Sequence, residues 1–336
     1  MTPTLQAAEP SHARVLGVGA YRPRRVVTNP EVCAHIDSTP EWIESRSGIR
    51  TRRFAGPDET LCAMAVSAGK AALADAGIDP DQLDCVIVAS MSNLVQTPPL
   101  SVLVADELGA RNSAGFDLSA ACAGFCHALA VAGDLVRAGS ARQVLVIGAE
   151  RMTDIVDRTD RTIAFMFADG AGAAVVGSSA EPGIGPVVRW ADGRSRGGLY
   201  MNTTWAQFRD DPTLEWPAMK MDGQRVFRWV VENAVPAAKE ALRRAGIGVG
   251  DLAAFIPHQA NVRMIEVLAD RLGLPAAVAV SRDVVTAGNT SAASIPLAMR
   301  AMLDAGAAEP GGAALLIGFG AGLNYAGQVA LLPGRS

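Results

Sequence analysis

The 336-residue chain is poor in the features that mark several whole classes of protein. Aromatic residues make up 5% of it, the net charge is −4, and no basic stripe carries interleaved aromatics, which argues against a nucleic-acid partner. Gly, Pro or a charge interrupts every apolar run well short of the ~20 residues that span a bilayer, so no membrane partner is expected. The opening stretch, MTPTLQAAEPSHARVLGVGAY, lacks a basic-then-apolar export pattern. Residues 1–13 read as a loose leader before a first strand at about residue 14. Five cysteines (33, 62, 85, 122 and 126) are an odd number, no pair has CxxC spacing, and no His or Cys cluster completes a metal site. A disulfide framework and a structural zinc are therefore not expected, and the thiols point to a reduced, cytoplasmic setting. DGAG and GFGAG do not satisfy the dinucleotide-binding GxGxxG pattern.

What the chain does have is a large apolar fraction, 49% hydrophobic against 19% charged, enough for an extensive buried core. It also contains itself twice. Residues 72–87, ALADAGIDPDQLDCVI, align without gaps on residues 241–256, ALRRAGIGVGDLAAFI, at an offset of 169. Each copy reads as a helix closed by Gly, a turn, then a strand. SAAC (119–122) faces SAAS (291–294), and VLVIG (144–148) faces ALLIG (314–318), in the same order and at nearly the same offset. The chain is thus a duplicated α/β unit, with halves of about 14–180 and 181–336. Continuous runs such as CVIVAS, QVLVIGA and AAVVG are what strands covered on both faces look like. Two such sheets, with helices between and outside them, give a five-layer α/β/α/β/α body. Segments 120–137 and 292–305 predict the two central helices, with their N-termini close across a pseudo-two-fold axis.

Cys122 starts the first of these. A cysteine among Ala and Gly is commonly a small core residue. At a helix N-terminus it also feels the positive end of the dipole, which lowers a thiol's pKa and makes a nucleophile. The small neighbours Ala120, Ala121, Ala123 and Gly124 would let a substrate approach and leave N–H groups free for an oxyanion. His258 follows an apolar strand and precedes an amphipathic helix, and Asn289 precedes the second central helix. Cys, His and Asn at three strand-to-helix corners of a duplicated fold are harder to treat as packing than any one alone.

DLSAACAGF around Cys122, IPHQAN around His258, GNTSAAS around Asn289, FADGAGAAVV (167–176) and GFGAG (318–322) together resemble the thiolase superfamily. Within it the sequence is similar to the β-ketoacyl-acyl carrier protein synthase III enzymes over residues 12–333. DSTPEWIESRSGIRTRR, QTPPLS and SAACAGFCHAL look closest to actinomycete initiation ketosynthases that prime aromatic polyketide synthases.

The resemblance implies a thiolase-like fold and a ping-pong decarboxylative Claisen condensation without metal or other cofactor. Cys122 would take the acyl group from a short acyl-CoA, with the amides of Cys122 and Ala321 as oxyanion hole. His258 and Asn289 would stabilise the enolate formed from malonyl-acyl carrier protein. Trp42, Arg46, Arg161 and Asn261 match positions that hold CoA or its pantetheine arm. Arg228, Arg263 and Arg271 would form a shallow basic patch for an acidic carrier protein. Met91, Thr97, Met166 and Phe167 fall where the family builds its acyl pocket. Thr97 stands where some relatives carry a Phe that reaches into the partner subunit, and its smaller size predicts room for chains longer than acetyl. Ala168 replaces a glycine usual in the family, which would cost about 1 kcal/mol if that position needed positive φ. A cytoplasmic homodimer is expected. A fatty-acid initiator and an acyltransferase acting on an alcohol or amine remain alternatives on the same fold.

Overall fold

The computed structural model describes residues 11–334. Of the expected leader, residues 1–10 lie outside the described residues. His12 and Ala13 already belong to the first strand, two residues earlier than expected.

Ten strands form two five-stranded sheets. In the first half they are β1 (His12–Tyr21), β2 (Cys85–Ala89), β3 (Ala114–Leu118), β4 (Gln143–Arg151) and β5 (Asp169–Ser179). The second half supplies β6 (Val188–Ala191), β7 (Ala254–Pro257), β8 (Ala279–Val280), β9 (Ala313–Gly320) and β10 (Asn324–Leu331). The strand orders are β1-β5-β4-β2-β3 and β6-β10-β9-β7-β8, so each strand has its counterpart in the same place. Pairing direction is repeated too. β4 and β9 run parallel to one neighbour (β2, β7) and antiparallel to the other (β5, β10).

Apolar runs on these strands divide by alternate residues. Val86, Val88, Leu145 and Ile147 face an outer helix layer with Met64, Leu73 and Val104. Ile87, Val144 and Val146 face inward, where they share one core with Ile256 and Leu316 of the second sheet. Between the sheets lie the helices Gly124–Arg137 and Ser294–Asp304, whose Ala128, Leu129, Ala132, Ile295, Ala298 and Met299 fill that core. Helices Gly223–Ala245 and Val262–Leu272 cover the outer face of the second sheet, against Phe255, Leu315 and Ile317. The result is the expected five layers.

The local repeat has a common cause. Leu61–Ala76 is capped by Thr60 Oγ1 accepting from the Ala63 amide and ends at Gly77, φ 64°. Gly223–Ala245 is capped by Asp222 and ends at Gly246, φ 73°. Left-handed glycine stops each helix, and a short 3₁₀ turn (Pro80–Gln82, Val249–Asp251) leads into β2 or β7.

Two details differ from the sequence expectation. Each central helix is preceded by a separate 3₁₀ turn, Ala121–Ala123 and Ser291–Ala293, which begins at a non-glycine residue of positive φ: 47° at Ala121 and 49° at Ser291. A left-handed residue cannot continue into the α-helix, so Cys122 sits in the turn rather than in the helix proper. The equivalent of Cys122 is consequently Ala292, not Ser294 as the SAAC/SAAS match suggested. Ala168 is not among the residues of positive φ, so the expected backbone cost does not arise there.

Candidate active site

The two turns meet because glycines let each approach the opposite sheet. A Cβ on Gly148 of β4 would lie 2.3 Å from the Ala292 carbonyl oxygen. A Cβ on its counterpart Gly318 of β9 would lie 2.9 Å from Ala123 Cα. Gly320, at the end of β9, keeps open the space over the Cys122 amide, which a Cβ there would approach to 2.7 Å.

One cavity of about 540 Å³ reaches this junction, lined among others by Cys122, His258, Asn289, Phe319 and Gly320. The three residues singled out at strand-to-helix corners therefore share one chamber. Cys122 is buried. Burial pushes its thiol up to about 12, and the Glu150 carboxyl adds to that, against the Ser291 hydrogen bond and its own amide. The direction is opposite to the expected lowering: burial of the sulfur outweighs the hydrogen bonds that favour thiolate, and Cys122 rests as a thiol.

His258 follows β7 and is anchored by its amide donating to Ile317 O at 2.8 Å. Its Nδ1 lies 2.7 Å from Ser294 Oγ, and Phe319 meets the ring edge-on at 5.2 Å. Ser294 Oγ also accepts from the Gln259 amide at 3.3 Å, and one of the two tautomers open to the pair has its hydroxyl donating to Nδ1. In that tautomer the imidazole proton is on Nε2, as a donor. Burial pushes the imidazole down to about 3, so the ring is neutral.

Asn289 is held on both sides by backbone: its amide donates to Met166 O at 2.8 Å and its carbonyl accepts from the Ala168 amide at 2.9 Å. Asn289 Oδ1 accepts from the Ser291 amide at 2.9 Å, which leaves Nδ2 as the free end. Two neutral donors, Nε2 in that tautomer and Nδ2, thus stand in the same chamber as a buried thiol. Such an arrangement suits a developing enolate oxygen, which needs donors but no buried counter-charge.

Trp42 and Arg46 line the same cavity, and the guanidinium carbons of Arg46 and Arg161 each lie 5.8 Å from the Trp42 ring centre. Asn261 lines it too, while its Oδ1 caps the Val262–Leu272 helix through the Met264 amide. Arg46, Phe227 and Asn261 also border a shallower depression with Arg228 and Arg263, so the two are continuous. Exposed Arg271 is not among the residues lining that depression. Met166 and Phe167 line the cavity; Met91 and Thr97 do not line that of their own chain. Ala321 adjoins Gly320 without lining the cavity.

Sequence reasoning missed Glu150, Ser291 and Ser294. Glu150 had a signal, an acid ending the apolar run VLVIGAE. The serines stood inside GNTSAAS without distinction. Among the described residues no group of three or more His, Cys, Asp or Glu is placed to hold a metal ion. No described helix is long and apolar enough to cross a membrane.

A duplicated five-layer α/β body with Cys, His and Asn lining one cavity between its halves is the arrangement of a thiolase-like condensing enzyme. The family models for 3-oxoacyl-[acyl-carrier-protein] synthase III match residues 116–193, and those for its C-terminal part match residues 242–331. The chain belongs to this family of acyl-transferring condensing enzymes. It is 60% identical to a β-ketoacyl-[acyl-carrier-protein] synthase III of Streptomyces lividans, over 98% of each chain. It is 47% identical to a mycobacterial β-ketoacyl-[acyl-carrier-protein] synthase III of Mycobacterium avium, over 96% of this chain and 97% of that one. Among solved structures, the priming β-ketosynthase of the R1128 polyketide biosynthetic pathway superposes with a TM-score of 0.98 at 59% identity. That match covers 99% of this chain and 100% of the other.

Proposed function

We propose that the protein condenses a short acyl-CoA starter with malonyl-acyl carrier protein through an acyl-Cys122 intermediate, and so primes a polyketide. The observation that carries this is the shared cavity, lined by Cys122, His258 and Asn289 and, at its wall, by Trp42 with Arg46 and Arg161 each 5.8 Å from its ring centre. Cys122 sulfur attacks the thioester carbonyl, and the amides of Cys122 and Ala321 receive the oxyanion. CoA leaves, malonyl-acyl carrier protein enters, and loss of carbon dioxide generates an enolate held by His258 Nε2 and Asn289 Nδ2. Its carbon attacks the acyl carbonyl, the carbon–sulfur bond to Cys122 breaks, and the released thiolate takes a proton from solvent to return the thiol. Every step uses the chain's own groups, without metal or other cofactor.

Arg46 and Arg161 suit the CoA phosphates and Trp42 its purine. Exposed Arg228, Arg263 and Arg271 suit an acidic carrier protein. The division into halves at about residue 180 follows the two sheets. Five unpaired cysteines accord with a cytoplasmic, reducing setting. A homodimer is favoured by β3, an edge of the first sheet with Phe116 exposed, and by exposed Leu94, Val95, Val102 and Leu103 nearby in sequence. In such a dimer Thr97 would enlarge the partner's acyl pocket. Polyketide priming, rather than fatty-acid initiation, rests on the likeness to the R1128 priming enzyme.

The test is intact-mass analysis after incubation with mixed acetyl-, isobutyryl-, butyryl- and hexanoyl-CoA, followed by malonyl-acyl carrier protein. One acyl adduct on Cys122, then a β-ketoacyl thioester with carbon dioxide, is expected. Transfer of the acyl group without carbon dioxide release would favour the non-condensing acyltransferase, and strict acetyl preference would refute the larger pocket.

A further inference from the structure

The two amides proposed above as oxyanion donors come from different halves, Cys122 from the first central turn and Ala321 from residues 320–323, between β9 and β10. Backbone pairing holds the far end of the latter segment, where Leu323 and Asp192 exchange hydrogen bonds at 2.7 and 3.1 Å. A side chain ties its near end to the Cys122 turn. Asn324, the first residue of β10 and 8% exposed, donates from Nδ2 to Ala321 O and, at 3.4 Å, to Ala120 O. Ala120 O is also the acceptor that closes the Cys122 turn, from the Ala123 amide at 3.2 Å. Both carbonyls can only accept, so the end of the Asn324 amide facing them is nitrogen, with one hydrogen for each. Oδ1 then faces His127 Nε2 at 3.3 Å. An amide oxygen also only accepts, so the hydrogen of that imidazole is on Nε2.

We infer that Asn324, oriented by His127, is a positioning residue for acyl loading: it ties the Ala120 and Ala321 carbonyls together and so sets the spacing of the Cys122 and Ala321 amides. In each case the tethered carbonyl belongs to the peptide next to the donor's own, so moving it turns that donor. Gly320 lets β9 approach the Cys122 amide, where a Cβ would come to 2.7 Å, but it carries no group that could fix the distance.

The duplicated half argues that the fold itself does not need this pair. Gly148 and Gly318 are equivalent and pair with Gly172 and Ala326, so the residue in the place of Asn324 is Gly170. The central helices begin at Gly124 and Ser294, so the residue in the place of His127 is Leu297. There the contact is apolar: a Cβ on Gly170 would lie 3.1 Å from Leu297 Cδ1. Beside the second central turn the same two elements thus pack through a leucine on a glycine. Beside Cys122 the equivalent place holds an amide and an imidazole, which must be desolvated to sit there. Burial keeps the His127 imidazole below its usual range, with Arg189 adding to that against the Asn324 hydrogen bond. The tether is therefore neutral and places no charge beside the oxyanion.

This inference rests on the acyl-Cys122 intermediate proposed above; a wild-type enzyme that forms no Cys122 adduct would sink that reading, whereas the variants below test the tether alone. Asn324→Leu keeps the side chain's shape and removes both hydrogens. His127→Leu copies Leu297 and leaves the Asn324 amide free to rotate. Single-turnover loading of the full-length enzyme by acetyl-CoA gives a maximal rate and a half-saturating concentration, with circular dichroism as the check on folding. Acyl-enzyme made from carbonyl-labelled acetyl-CoA gives the infrared stretch of the bound carbonyl, which falls as donors engage its oxygen. Asn324→Leu should lose about 10²-fold in maximal rate, the scale of a misplaced reacting group, at an unchanged half-saturating concentration. Its carbonyl band should move to higher wavenumber. His127→Leu should lose roughly tenfold with its band moving the same way, and His127→Gln, which can again donate to Oδ1, should recover most of the rate. Loading by Asn324→Leu at the wild-type rate, a lost rate with the carbonyl band unmoved, or a change in the half-saturating concentration alone would overturn the assignment. If Asn324→Leu does not fold, His127→Leu and His127→Gln decide by the same readings.

Discussion

The turns Ala121–Ala123 and Ser291–Ala293 are one backbone used twice. Both open on a left-handed non-glycine residue, both lead into a central helix, and both are clasped by a glycine of the opposite sheet. Their side chains differ. The first turn presents Cys122 to the cavity; at the same place in the second stands Ala292, 1% exposed and outside the cavity lining. The second turn contributes instead through its flanks, with Asn289 ahead of it, Ser291 at its start and Ser294 after it. Duplication has supplied two equivalent corners, and the proposed chemistry uses them unequally: Cys122 stands on one, Asn289 beside the other, and His258 comes from the end of β7.

That division can be broken most completely by Cys122→Ala, which makes the first turn like the second. Acyl loading should vanish by intact mass while the far-ultraviolet spectrum is kept. Ala292→Cys, the reciprocal change, should not create a second loading site.

Asn289→Ala removes a donor of the second corner only. It should still load the acyl group yet lose roughly 10²–10³-fold in condensation with malonyl-acyl carrier protein, the usual scale for one oxyanion donor. Condensation at the wild-type rate would remove Asn289 from the reaction.

The clasping glycines separate the two turns by stability. Gly148→Ala drives a methyl into the Ala292 carbonyl, and Gly318→Ala into Ala123 Cα at the longer distance of 2.9 Å. Thermal melts should show both destabilised, by about 1–3 kcal/mol, with Gly148→Ala the worse. Gly318→Ala should be the worse of the two in acyl loading, since its methyl disturbs the Cys122 turn.

The last effect concerns acid. The His258 imidazole ordinarily titrates near 6.5 but is pushed down to about 3 when folded. The unfolded chain therefore binds the proton first. The stability held by neutral His258 is complete above about pH 6.5 and is lost progressively as pH falls toward 3. Melting temperature measured over that range should fall less steeply in His258→Ala than in wild type.

Much of this was legible in the sequence because it is local or repeated. Gly77 and Gly246 close their helices at the places the ALADAGI and ALRRAGI copies indicated. VLVIG and ALLIG became the equivalent strands β4 and β9. The apolar runs proved to be buried on both faces. What misled was identity of letters at the central turns. SAAC and SAAS match best two residues out of structural register, since the turn begins where the backbone turns left-handed and not where the letters agree. Thr97 raised a different difficulty: its expected role lies in a neighbouring subunit's pocket, which its own chain does not build.

By itself the sequence determined the doubling and the layer order, because hydrophobic period and helix caps act over a few residues, and it singled out Cys122, His258 and Asn289, which line one cavity. Only the tertiary structure decided what state those residues are in. Enclosure by both halves removes water from the thiol and the imidazole, reverses the direction expected of a helix N-terminus, and brings Glu150 of one half to Ser291 of the other. Those are consequences of desolvation and of contacts 141 residues apart in the chain, which no local pattern of letters encodes.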